Sequence, residues 1–322
     1  MNAQNQPPEG DRIAKVMARA GLCSRREAEA WIAGGRVSVN GAVISSPALN
    51  VTPKDTIAVD GKPLPKAERT RLFLYHKPRG LMTTHADPEK RPTIFEKLPK
   101  TMPRVVSVGR LDLNTEGLLL LTNDGGLARV LELPATGWLR RYRVRAHGAI
   151  LQPQLDALRK GVTVDGVRYG AIEATVDRLQ GANVWLTFAI REGKNREVRN
   201  VLEHLGLKVN RLIRISFGPF QLGDLAEGAV EEVRTRHLRE QLGERIAEAA
   251  EADFTGPISL ADEAVEDEPA PKTQPRAEPK GREPAPKPKS KARKLLERFR
   301  NSARPATGRA KRARVGRPKR KR

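Results

Sequence analysis

The sequence predicts an α+β fold: two folded domains followed by a tail that does not fold. Three observations lead there. Helical and strand-like hydrophobic periods mingle without a regular β-α alternation, which argues for a mixed, largely antiparallel sheet with flanking helices. The Pro- and charge-rich stretch KPLPKAERT separates a first module of about 50 residues from the rest. Beyond about residue 255 the chain turns polar and Pro-rich, a composition that buries too little apolar surface to offset its ordering entropy. No unit of 20 to 50 residues repeats, so a solenoid is excluded.

Residues 1–10 are polar and expected to be disordered. In residues 11–61 a first helix places Ile13, Val16, Met17 and Ala20 on one face and stops at Gly21. Ser24 and Glu27 form a capping-box signature for a second helix, which Gly34 or Gly35 ends. Val37 and Val39 then alternate into Asn40-Gly41, a hairpin turn signal. The result is a small helix-helix-hairpin domain. Residues 62–70 are the linker.

Residues 71–240 make the larger domain. RLFLYHK is a strand running into a Pro-Gly turn, VVSVGRLD a second strand broken by Gly109, and GLLLLT an apolar strand followed by Asp124-Gly125 and a short helix. WLRRYRVRAHG alternates apolar or aromatic with basic side chains, as a half-buried strand does. Residues 153–160 read as helical, and two further strand stretches precede NREVRNVLEHLG. That helix is expected to start at an Asn195 cap, to bury Val198, Val201, Leu202 and Leu205, and to stop at Gly206. Residues 241–322 are expected to be a tail, first acidic and then basic, in which KLLERF could form a short helix on a partner.

Charge narrows the function. The formal net charge is +22, and residues 271–322 alone carry 21 basic against 3 acidic residues. Residues 251–270 carry seven acidic residues and no basic one, so the folded part is basic in its own right. A polyanionic partner is the economical explanation, because Lys and Arg beside phosphates release condensed counterions. No hydrophobic insertion element accompanies the charge, which favours nucleic acid over a membrane surface. The N-terminus lacks an apolar signal core, and the longest apolar runs, such as Leu118 to Leu121, are far shorter than a membrane helix. The single cysteine, Cys23, rules out an intrachain disulfide and a Cys-based zinc cage, and no pair of the five histidines has ligand spacing. A cytoplasmic protein without metal is expected.

The segment VGRLDLNTEGLLLLTNDG has a lookalike, since Asp112 to Gly117 matches the start of a calcium-binding loop. The twelfth position there is Asn123 instead of a bidentate Glu, and a strand follows where a helix should. An isolated Asp112 would otherwise read as a turn residue. Other segments shift the balance. RIAKVMARAGLCSRREAEAWIAGGRVSVNG resembles the S-four-type RNA-binding module. KPRG at Lys77 to Gly80, GRLD with TEGLLLLTNDG, the RRYRV strand, and EGKNREVRNVLEHLG with VNRLIRISFGPF together resemble the bacterial ribosomal RNA pseudouridine synthases. The likeness runs from about residue 11 to 240. NREVR and MTTHADPEKRPTIFEKLP look most like the large-subunit synthase B branch.

That resemblance implies a catalytic carboxylate at Asp112, an active-site tyrosine at Tyr142, and Arg199 as the basic residue that pairs with Asp112. It implies conversion of a uridine to pseudouridine in ribosomal RNA, 23S by the branch it resembles. The glycosidic bond is cleaved and re-formed through carbon with no redox or hydrolytic step, so no cofactor is expected. An ionised Asp suits this as a nucleophile at the ribose or as a base in a glycal-type elimination. Arg199, about 100° from Val198 on the helix, could hold Asp112 charged while the helix stays packed. Arg110, Lys77 and Arg79 are expected to bind RNA, as are Arg12, Lys15, Arg19, Arg25, Arg26 and Arg36 of the first domain. A monomer acting on ribosomal RNA or an assembly intermediate fits best. A catalytically inert RNA-binding ribosome-assembly factor, or a basic nucleoid protein driven by its tail, is the competing class.

Overall fold

A computed structural model describes residues 10–258. The expected disorder of residues 1–9 and the tail from residue 259 onward, KLLERF included, lie outside the described residues. In the N-terminal module β1 (Asp11–Arg12) leads into α1 (Ile13–Arg19) and α2 (Arg25–Ala33). The capping box at α2 is complete: Ser24 Oγ accepts from Glu27 N, and Glu27 accepts from Ser24 N. Next come β2 (Val37–Val39), β3 (Ala42–Val43), β4 (Asn50–Val51), β5 (Ile57–Val59) and β6 (Lys62–Pro63). Four of them pair in the order β3-β2-β5-β6, and β1 pairs β4. Asn40 and Gly41 both have positive φ, the mirror-image turn that the right-handed strand twist selects. Ile13, Met17, Ala28, Ile32, Val37 and Val59 form this module's own core.

The larger domain begins with β7 (Leu72–Lys77), β8 (Val106–Ser107) and β9 (Glu116–Thr122), then α3 (Gly125–Glu132) and β10 (Arg140–His147). After α4 (Gln152–Asp156) come β11 (Val162–Val164), β12 (Val167–Tyr169), β13 (Ile172–Gln180) and β14 (Asn183–Ile190). The chain continues through α5 (Glu197–His204), β15 (Lys208–Phe217), β16 (Phe220–Gln221), β17 (Val230–Val233) and α6 (Thr235–Ala250). The main sheet runs β13-β14-β10-β15-β9-β7-β17, with β16 on β15 and β8 on β9. Every neighbour pairs antiparallel except β15 with β9. The fold is α+β, as the periodicity predicted.

β9 is buried along its whole length because it separates two cores. Leu119 and Leu121 face one core with Tyr142, Val144 and the α5 residues Val198, Val201 and Leu202. Leu118 and Leu120 face the other with α3 and α6, as alternation along a strand requires. Gly117 lets β15 approach: a Cβ there would lie 2.3 Å from the Arg214 carbonyl oxygen. The α3–α6 layer covers β9, β7 and the end of β15. Over β10, β14 and β13 the same face carries no helix among the described residues, and Arg141, Arg143 and His147 point outward and are exposed there.

Two expectations need correction. The tail does not start at residue 241: α6 continues to Ala250, burying Leu238, Leu242, Ile246 and Ala250 at a spacing of four. Gly243 breaks its backbone geometry midway (φ 67°, ψ 168°). Residues 251–257 then run beside the linker, with Arg69 N donating to Pro257 O and Thr70 N to Asp253 O. The second correction is local. The helix after NREVR begins at Glu197 and is preceded by Arg196 in the left-handed conformation, with no side-chain cap from Asn195.

Candidate active site

The loop between β8 and β9, residues 108–115, is held from several sides. Thr115 N closes a turn on Asp112 O at 2.9 Å, Gly80 N donates to Leu113 O at 2.8 Å, and Thr83 Oγ1 donates to Leu111 O at 2.9 Å. Lys77 lies beneath it, wholly buried, with Nζ near the carbonyl oxygens of Pro78 (3.0 Å), Asp112 (3.2 Å), Leu113 (3.4 Å) and Thr115 (3.1 Å). Burial pushes its ammonium down to about 8, against the pull of Asp112 and Glu116. Lys77 therefore does not reach a phosphate; it tethers the loop that carries Asp112.

Asp112 opens into a cleft of ≈ 990 Å³ that Tyr142, Arg199 and Arg110 also line. Its side chain remains 36% exposed, and Arg196 Nη1 lies 3.8 Å from its Oδ2. Arg199 does not make the expected ion pair. Its guanidinium donates to Asn114 O at 3.0 Å and Val209 O at 3.5 Å, bracing the same loop from the α5 side. The reason is the left-handed Arg196, which turns that side chain toward Asp112 while Arg199 sits one helical step further along. Burial and the neighbouring Arg196 lower the Arg199 pKa, and Asp112 opposes them.

Tyr142 is nearly buried and lies opposite Arg214 in the β10–β15 register. Arg214 donates Nε to Leu118 O at 2.7 Å, while its Nη2 is buried without a protein partner. Burial lowers its pKa, and Tyr142 counteracts this. Arg140 is likewise buried in the cleft wall, held by Trp138 O and Arg191 O and stacked 4.6 Å over Phe217. Glu197 accepts from Lys194 N at 3.1 Å and clamps the turn that presents Arg196; burial pushes its carboxyl up to about 7.

Sequence reasoning thus brought Asp112, Tyr142, Arg199 and Arg110 to one cleft and missed Arg196, Glu197, Arg140 and Arg214. Two of these were legible: a strand period of two puts Arg140 with Tyr142 and Arg214 with Leu212. The remaining basic residues are distributed otherwise. Arg79 is exposed outside the cleft, 3.8 Å from Glu116. Lys15 pairs with Asp11 and Glu251; Arg19 pairs with Asp124 and Glu251 and bonds the Glu251 carbonyl. Both join the first domain to the segment after α6 and are not free for RNA. Arg36 pairs with Asp60 and covers Trp31. Arg12, Arg25 and Arg26 are exposed, without an ion pair among the described residues. Among those residues no His, Cys, Asp or Glu group could hold a metal ion, and no helix is long and apolar enough to cross a membrane.

Comparisons with known proteins agree on one family. The RNA pseudouridylate synthase family matches residues 71–204, and the S4 domain matches residues 11–57. An RNA pseudouridine synthase of Rickettsia prowazekii (strain Madrid E), itself uncharacterized, is 45% identical over 233 residues, 72% of this chain and 97% of its own. The ribosomal large subunit pseudouridine synthase B of Haemophilus influenzae is 41% identical over 254 residues, covering 76% of this chain and 71% of that protein. A crystal structure of a pseudouridylate synthase superposes with a TM-score of 0.51 at 27% identity, covering 73% of this chain and all of that one.

Proposed function

Because the chain belongs to the RNA pseudouridine synthase family and isomerises uridine to pseudouridine in ribosomal RNA, we propose that its target lies in 23S rRNA and that Asp112 is the carboxylate that attacks or deprotonates the ribose. The observation that carries the residue assignment is the cleft itself, which Asp112, Tyr142, Arg110, Arg196 and Arg199 line together beside a tethered loop. Arg196, 3.8 Å from Asp112 Oδ2, sets a positive charge beside that carboxyl group in the cleft. Tyr142 offers a ring for the detached uracil and a hydroxyl for proton transfer. Arg110, exposed at the cleft rim, receives a phosphate or fills the gap when the nucleotide is flipped out, a step costing on the order of a few kcal/mol. The reaction moves one bond from nitrogen to carbon of the same base, so these residues need only orient, stack and hold charge. The protein works in the cytoplasm as a monomer, with Arg12, Arg25 and Arg26 of the S4 module as further RNA contacts.

The test has two arms. Asp112→Asn keeps the volume and removes the charge, so RNA binding persists and single-turnover pseudouridine formation falls below about a thousandth of the normal rate. Mapping pseudouridines in ribosomal RNA from a strain lacking the gene locates the target; loss of a 16S site alone would refute the large-subunit assignment.

A further inference from the structure

The sheet face beside the α3–α6 layer, on which no described helix lies, carries an ordered basic row. Arg178 on β13 stands opposite Trp185 on β14, Trp185 opposite Arg145 on β10, and Arg145 opposite Arg211 on β15. Directly opposed residues of antiparallel strands share a face, so the row crosses four strands, roughly 14 Å. Arg143, one step along β10, lies with its guanidinium carbon 5.0 Å from the Trp185 ring centroid, and Arg178 lies at 5.6 Å. Trp185 is thus a shelf that holds two guanidinium groups in place.

The acidic side chains nearby neutralise only the Arg211 end of this row. Arg211 is taken by Glu116 at 2.7 Å, and Asp177 holds Thr187 at 3.1 Å. Arg143, Arg145 and Arg178 make no ion pair among the described residues, and the Nε of Arg145 is buried without a partner. Like charges on neighbouring strands cost stability. Three uncompensated arginines, two on β10 and one on β13, with a tryptophan on the intervening β14 ordering two of them, match a chain of phosphates.

We propose that this face is a second RNA-binding surface, on the opposite side of the sheet from the Asp112 cleft, which takes the phosphodiester backbone of the ribosomal RNA away from the modified uridine. The inference rests on the ribosomal-RNA reading of the chain. It gives the protein two independent grips on one substrate, one for chemistry and one for affinity.

The test compares two triple variants of the full chain with equal loss of charge. Arg143→Gln/Arg145→Gln/Arg178→Gln strips the row, and Arg234→Gln/Arg239→Gln/Arg245→Gln strips exposed arginines around α6. Binding to purified 23S rRNA is measured across salt, with circular dichroism to show both folded. The first variant loses at least tenfold in affinity at 0.15 M salt, and its log K against log salt becomes shallower by about 2 to 3. Its single-turnover rate at saturating RNA stays within about twofold of wild type. The α6 variant keeps the wild-type slope. An unchanged slope in the first variant, or equal changes in both, overturns the proposal. Failure of the wild-type protein to form pseudouridine in rRNA would refute the isomerase reading instead, and the binding comparison would still stand.

Discussion

Replacing Lys77 by Met separates a structural lysine from a phosphate ligand, because the side-chain stem stays and only the ammonium goes. Two opposing quantities follow from its surroundings. Three donors are lost among four carbonyl oxygens, and at about 1 to 2 kcal/mol for each buried group left unpaired this costs about 3 to 6 kcal/mol. Against that, lowering the ammonium from 10.5 to about 8 records a desolvation penalty of about 3 kcal/mol that Met does not carry. The variant should therefore unfold only about 0 to 3 kcal/mol more easily in urea, while the slackened Asp112 loop lowers the single-turnover rate tenfold or more. RNA affinity and its salt slope should hold. A rate within twofold of wild type would refute the tether, and a slope shallower by about 0.7 to 0.9 would restore Lys77 to the RNA backbone. The pH dependence has a definite sign. Between about pH 8 and 10.5 the unfolded chain holds a proton that native Lys77 has released, so global stability should rise with pH across that window.

Glu197 carries the opposite sign. Its carboxyl is raised to about 7, so the native state binds the extra proton and stability should fall as pH rises from about 4.5 to 7; Glu197→Gln should flatten that segment and stabilise the protein at pH 8 by roughly 2 to 3 kcal/mol in urea titrations. Tyr142→Phe keeps the ring, so normal binding with slow single-turnover chemistry would assign the hydroxyl a proton-transfer role, whereas a wild-type rate with failure of Tyr142→Leu would make Tyr142 a platform only. Truncation after Glu244 removes the buried Ile246 and Ala250 and should destabilise the protein by roughly 3 kcal/mol, while truncation after Ile258 should leave its thermal midpoint unchanged.

Local signals read well where one period dominates. The Ser24–Glu27 capping box, the Asn40-Gly41 turn and the alternation of β10 all appear where the sequence places them. The cleft was legible in its acid, its tyrosine and its rim arginine. It failed for Lys77 and Arg199, because residue type indicates a cation and only tertiary packing decides whether that cation meets carbonyls or anions. The same limit applies to Lys15 and Arg19, whose partner Glu251 lies more than 230 positions away. The end of α6 was missed for another reason: Gly243 interrupts the helix between Leu242 and Ile246, which hides a regular stripe of four.

The parallel pairing of β9 with β15 has a consequence for the order of events during synthesis. Glu116 meets Ile213 and Gly117 meets Arg214, so a strand made early waits at the centre of the sheet for one made nearly a hundred residues later. Closing that span costs entropy before any contact rewards it, which makes it a slow step. Until it closes, β9 lacks its β15 neighbour at Glu116 and Gly117, and the core around Leu119 and Leu121 lacks Leu212. Arg214 reaches the wall beside Tyr142 only when β15 docks. The Asp112 cleft is therefore incomplete until residues 208–217 have been made and have docked.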